Sequence, residues 1–166
     1  MPHVLPGTVQ AADYDLGRLG TAYSDTYAAR VDYRNLTPHN QGNAYRNDGV
    51  DIEAVADAAS GGSTVGHMAT DEWLNYTVTV PQATTFTVQA RLMNPAGTPA
   101  RLMLMLMLDN KQAIGNIEAA AGSAWYTAPA GTVTLPAGTH ILHLSVEQPG
   151  AVISWLQFVA TAVCGY

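Results

Sequence analysis

The chain has 166 residues, 48% apolar and 12% charged, which is the size of one domain and neither a disordered tail nor a charged coiled coil. Seven Lys and Arg stand against thirteen Asp and Glu, a formal charge of −6 with no basic stripe, so nucleic acid is not an expected partner. A single cysteine, Cys164, excludes an internal disulfide framework and a zinc site of several thiolates, and the longest apolar run, Leu102–Leu108, is far too short to cross a bilayer.

Residues 1–16 carry Pro2, Pro6, Asp13 and Asp15 instead of a basic start and an apolar stretch. The expectation is export with a signal already removed, or by another route. Residues Asp25–Asn47 are polar, contain Tyr27, Tyr33 and Tyr45, and show little alternation. A loop of that length is usually functional or mobile, and tyrosine offers a ligand both an apolar face and a hydroxyl. Ile52–Ala59 favours helix by its Glu and Ala, but Gly61-Gly62 cuts it short.

From there the chain reads as strands. Trp73–Val80 is β-branched and aromatic and ends at Pro81, and Thr85–Leu92 sets Phe86, Val88, Ala90 and Leu92 on one face. Asn94–Pro99 is a loop by composition. Leu102–Leu108 is apolar at every position, the pattern of a strand covered on both sides, and Asp109-Asn110 turns it into Gln112–Ile117. Gly131–Leu135, His140–Val146 and Val152–Phe158 follow, separated by Pro136-Ala-Gly138 and Gln148-Pro-Gly150. Turns every eight to twelve residues and no long helical period predict an all-β fold, a two-sheet antiparallel β-sandwich. The expected core includes Phe86, Val88, Leu104, Leu106, Leu144, Trp155 and Phe158, with Trp73 also read as core.

Catalytic patterns are missing. There is no GxGxxG, no GxxxxGK[ST], no GxSxG and no HExxH, and His140 and His143 fall on opposite faces of one strand. Asp51/Glu53 and Asp71/Glu72 are the only carboxylate pairs that suggest glycoside hydrolysis, and such acids more often bind sugar hydroxyls or water. No enzyme activity is expected.

Several segments, in order, resemble a known family. Val9–Asp15 is similar to IQAEDYD, Gly20–Thr26 to GVAYHDT, and Ala44–Glu53 to YRxDGVDIE. Val65-Gly-His67 stands where the pattern has VGW or VGY, and Asp71–Val78 resembles GEWLEYTV. Ala121–Trp125, Leu135–His140 and Ile153–Phe158 are similar to TGGW, LxAGxH and INWIxF. The resemblance is to the family 6 carbohydrate-binding modules, β-jelly-roll appendages of polysaccharide hydrolases, and it spans about residues 8–159 of a single domain, 1–166.

That resemblance implies a sugar site on the loops at one end of the sandwich, made of two rings, an acid and an amide. Trp125 matches one ring and Glu53 the acid; the second ring falls on His67 and the amide on Val152. Imidazole offers less stacking face than indole, and Val152 forms no hydrogen bond, so Tyr45 and the tyrosine loop are the expected compensation. Trp125 lies among small residues, Ala121–Pro129, and reads as an exposed loop platform. Some family members use a second cleft on the concave face of one sheet, near the position of Trp73.

The resemblance also implies a structural calcium. Gln10 and Ser154 stand at two of its ligand positions, and Ala12 replaces a carboxylate, so little dependence on calcium is expected. The implied function is binding of a polysaccharide, a β-linked glucan or xylan, by a secreted, monomeric, non-catalytic module that holds an enzyme at its substrate. A structural or protein-binding sandwich without glycan affinity is the alternative.

Overall fold

The structure, a computed structural model, describes residues 2–25, 45–46, 50–107 and 111–161. Tyr27, Tyr33, Asp109, Asn110 and Cys164 lie outside the described residues. In chain order the strands are β1 (His3–Val4), β2 (Gly7–Gln10), β3 (Tyr23–Ser24), β4 (Ile52–Ala54), β5 (Ser63–Val65) and β6 (Trp73–Val80). Then come β7 (Thr84–Asn94), β8 (Ala100–Leu106), β9 (Gln112–Ala119), β10 (Gly122–Leu135), β11 (Gly138–Gln148) and β12 (Val152–Ala160). One sheet runs β1-β6-β11-β8-β9, with β3 also on β6; the other runs β10-β7-β12-β5-β4, with β2 also on β12. Pairing between these strands is antiparallel except where the two residues of β1 lie parallel to β6. This is the predicted two-sheet sandwich.

Alternation builds the core. Leu74, Tyr76, Val78 and Val80 of β6, with Leu102, Leu104, Leu142 and Leu144, line the interior from the first sheet, and Phe86, Val88, Ala90, Leu92, Leu156 and Phe158 line it from the second, all buried. Phe86 and Phe158 meet edge to face, with ring centroids 5.9 Å apart. Tyr76 is fully buried, and its hydroxyl donates to the Ala11 carbonyl at 2.8 Å. Burial pushes that phenol well above its usual range. At one edge the sheets pinch together: a Cβ on Gly131, whose φ is +122°, would stand 2.3 Å from the Ile114 carbonyl oxygen. Only glycine fits there.

Four expectations are corrected. Trp155 is not core. A register shift between Ile153 and Trp155 places Ile153 and Leu156 both inside and turns the indole outward, opposite Gln10 and Arg91. Its Nε1 donates to the Ala59 carbonyl at 2.7 Å. Trp73 likewise points away from the core while Leu74 and Tyr76 enter it, so it is only half-buried. The strand β8 is not covered on both sides: Leu102, Leu104 and Leu106 are buried, whereas Met103, Met105 and Met107 are half-buried on the outer face. Finally, Trp125 belongs to a strand and not to a loop, because pairing with β7 extends β10 back to Gly122. Ile52–Ala59 forms β4 and a single 3-10 turn over Ala58–Ser60.

Candidate functional site

The site end of the second sheet can be traced through its register. Tyr126 pairs with Leu92, Leu92 with Ile153, Ile153 with Val65 and Val65 with Ile52, which makes one row across five strands. Beyond that row lie Trp125, then Val152 paired with Met93, then Gly66 and His67. Three strand spacings of about 4.8 Å separate Trp125 from the His67 side. The two ring positions therefore flank a floor that contains Val152.

Each part is held in a definable way. The Gly66 amide donates to the Asp51 carbonyl at 3.0 Å, continuing the β4–β5 ladder by one step. A Cβ on Gly66 would stand 3.4 Å from a Val152 methyl, so Val152 packs on the glycine as an apolar floor. His67 then takes a left-handed backbone, φ 52°, which few non-glycine residues adopt and which turns its side chain back along β4. Its Nε2 lies 2.9 Å from Glu53 Oε1, with the two side chains 48% and 49% exposed. The matched acid and the residue at the second ring position are thus hydrogen-bonded in solvent reach, a relation that a spacing of fourteen residues does not reveal.

Trp125 is half-buried, and its neighbour Tyr126 accepts the Ala120 amide on its hydroxyl at 3.0 Å. Asn94, fully buried, knits this end together. Its Nδ2 donates to the carbonyls of Thr98 (2.7 Å) and Ala119 (2.8 Å), and its Oδ1 accepts the Ala96 amide at 3.2 Å. The sequence marks Asn94 only as the start of a loop; an amide just ahead of Pro95 is the signal that it braces one.

Tyr45 sits elsewhere. Its hydroxyl bonds the Asp13 carboxylate, which raises the phenol pKa, and Arg46 lies over the Tyr14 ring 4.1 Å from its centroid. Those residues surround a cavity with His3, Asp15 and Leu16 at the β1 edge, apart from Glu53 and His67. Within each carboxylate pair the members part: Asp51 and Glu72 are buried and line one cavity with Asp25, whereas Glu53 and Asp71 are exposed. The Glu72 carboxylate accepts the Ala69 amide at 2.9 Å.

At the positions matched to calcium ligands, Ser154 Oγ donates to the Ser60 carbonyl at 2.6 Å, with both residues fully buried. The Gln10 amide lies under Gly61, where a Cβ would approach it to 2.6 Å. Asp57 receives Arg91 through Nε and Nη2, both at 2.9 Å, and the Ser60 hydroxyl at 2.5 Å. The Arg91 guanidinium, helped by Ser60, holds the Asp57 carboxyl below its usual range. Among the described residues, no three His, Cys, Asp or Glu side chains are grouped to hold a metal.

Comparison with known proteins agrees with this architecture. The family model for carbohydrate binding module (family 6) matches residues 41–160. A module of Cellvibrio mixtus lichenase 5A in complex with cellotriose superposes with a TM-score of 0.63 at 20% identity, covering 95% of this chain and 98% of that one. A β-1,3-glucan-binding module from Bacillus halodurans gives 0.64 at 16% identity over 95% and 98%. A Clostridium stercorarium module in complex with cellobiose gives 0.60 at 15% identity over 97% and 98%. Among curated proteins none matches the chain. No helix among the described residues is long and apolar enough to cross a membrane.

Proposed function

Since this chain belongs to the family 6 carbohydrate-binding modules, we propose that it binds a neutral polysaccharide, a β-linked glucan or xylan, at the end of the second sheet and leaves it uncleaved. The observation that carries this reading is the placement of Trp125, Val152, His67 and Glu53 on one rim, with Trp125 and the Glu53 carboxylate accessible. Trp125 stacks on a sugar face, while Glu53, oriented by His67, accepts sugar hydroxyls. Val152 supplies an apolar floor where the family has an amide, so orientation rests more on Glu53. An acidic chain suits a neutral glycan better than a sulfated one.

The module works outside the cell on this reading, holding an attached or associated hydrolase at its substrate. The structures with cellotriose, cellobiose and β-1,3-glucan affinity support the ligand class, being similar modules described with β-linked ligands. A glycan array of β-glucans and xylans, run beside an assay for released reducing ends, tests it. Binding without new ends is the expected result; new reducing ends would make it an enzyme.

We further propose that this module needs no calcium. Support comes from the donor set: no carboxylate stands at the matched positions Gln10, Ala12 and Ser154, which does not suit an ion wanting six to eight oxygens, carboxylates among them. The Arg91–Asp57 pair and the Ser60 bonds fasten the 57–61 turn instead. EDTA is expected to leave the melting temperature unchanged, and a large drop reversed by calcium would refute this. Acid should loosen the turn. Because the Asp57 pKa is depressed in the fold, its contribution is fully present above the unfolded value of about 3.9 and is lost as pH falls through the folded one. Asp57→Asn should flatten the acid limb of a pH–stability curve.

A further inference from the structure

The outer face of the first sheet, beside Trp73, carries an arrangement that the Trp125–His67 rim does not include. Along β8 the leucines point inward, and Met103, Met105 and, just past its end, Met107 point outward. Three successive solvent-side positions are thus filled by thioethers, where no core needs filling. Register sets Met105 directly opposite His143 on β11 and Met103 opposite Ser145, and past the end of β8 the Met107 amide donates to the Ile141 carbonyl at 3.0 Å. On the other flank His143 pairs with Asn75 and Ser145 with Trp73. The outward rows therefore read Asn75–His143–Met105 and Trp73–Ser145–Met103.

Directly opposed side chains on neighbouring strands have Cβ atoms about 4.5–5.5 Å apart, and alternate residues of one strand lie about 6.8 Å apart. Two flexible thioethers and one imidazole thus share a patch narrow enough for a single ion.

The imidazole is oriented and its tautomer is set. His143 Nδ1 lies 2.7 Å from Asn75 Oδ1. Asn75 Nδ2 donates to the Thr21 carbonyl at 3.1 Å, which commits the amide nitrogen elsewhere and presents its oxygen to the ring. Nδ1 therefore carries the hydrogen, and Nε2 keeps its lone pair. Trp73 covers one flank of the ring, with centroids 5.1 Å apart and planes at 37°. A second partner that fixes the unbound nitrogen is what ligating histidines ordinarily have.

We propose that Met103, Met105 and His143 form a binding site for a soft monovalent cation, copper(I) or silver(I), on the outer face of the first sheet. Thioether and imidazole suit such ions, whereas calcium, magnesium and manganese prefer carboxylate, carbonyl and water oxygens. On the same face Arg101 pairs with Glu118 at 2.7 Å and with Glu147 at 3.7 Å, and Lys111 is the charged group whose field reaches His143. This inference is independent of the glycan reading.

The test uses the full chain carrying Cys164→Ser, since a thiolate would bind copper(I) wherever it lay. Anaerobic titration against the copper(I)–bicinchoninate complex is expected to show one ion withdrawn per chain. Met103→Leu/Met105→Leu and His143→Gln should each weaken binding about tenfold or more, with zinc(II) not retained by any of them. Silver(I) should shift the methionine methyl resonances of Met103 and Met105 and leave those of Met68 and Met93 in place. The leucine pair keeps volume and apolarity, so it carries the test even if His143→Gln unfolds. Unchanged bicinchoninate colour with the Cys164→Ser protein, or equal binding by the double methionine variant, would overturn the proposal.

Discussion

Replacing Phe158 by alanine is expected to lower stability by about 3–5 kcal/mol, a large part of the roughly 5–15 kcal/mol that holds a domain. Phe158 is buried on β12 and meets Phe86 edge to face, so truncation opens a cavity between the sheets and removes an aromatic pair. In a chain of this size that corresponds to a fall of about 6–20 °C in melting temperature. Trp155, three residues earlier and larger, should matter much less when changed to alanine. It loses one hydrogen bond to the Ala59 carbonyl, about 0.5–1.5 kcal/mol net, and part of an outer-face contact. Paired thermal melts of the two variants decide it. Equal destabilisation would mean that the indole fills the interior after all.

The second large effect concerns binding. Trp125→Ala is expected to weaken affinity for the preferred glycan about tenfold or more, since 1.4 kcal/mol is one decade. Ring stacking contributes about 0.5–1.5 kcal/mol beyond the buried area, and loss of that area adds to it. Trp125 sits where β10 begins and is only half-buried, so the melting temperature should move by no more than a few degrees. Placing a ring opposite it, by His67→Trp, tests the geometry from the other side. That change also frees Glu53 from its 2.9 Å partner, so a gain in affinity would show that stacking outweighs the orientation His67 gives the acid. Isothermal titration of the three proteins with one oligosaccharide measures both changes.

Much of the sandwich could be read from alternation alone. Trp73–Val80 matches β6 residue for residue, and the inward set Phe86, Val88, Ala90, Leu92 is buried as its period of two demands. Where reading failed, a contact distant in sequence had intervened. The extra residue at Ser154 shifts the register of β12 against β7, and no sequence period announces a bulge. Small residues around Trp125 carry weak strand propensity, yet the ladder to β7 extends them into β10, a tertiary override of local preference. In Arg101–Met107 leucine and methionine are both apolar, so the pattern alone cannot say which set meets solvent; pairing with β9 and β11 does. The candidate site shows the same division. Matching positions brought Glu53 and His67 forward one at a time, but their contact depends on the left-handed turn at His67. Tyr45, chosen for its chemistry, is drawn instead to Asp13, on the 3-10 turn Ala11–Asp13 that follows β2.

Affinity electrophoresis of the parent and Trp125→Ala in gels cast with soluble β-1,3-glucan, mixed-linkage β-glucan or xylan tests the central claim most directly. The parent should be retarded by at least one of these polysaccharides and the variant should run nearly as it does in a plain gel. A parent that migrates identically in every gel would contradict glycan binding, and equal retardation of the two proteins would contradict the site.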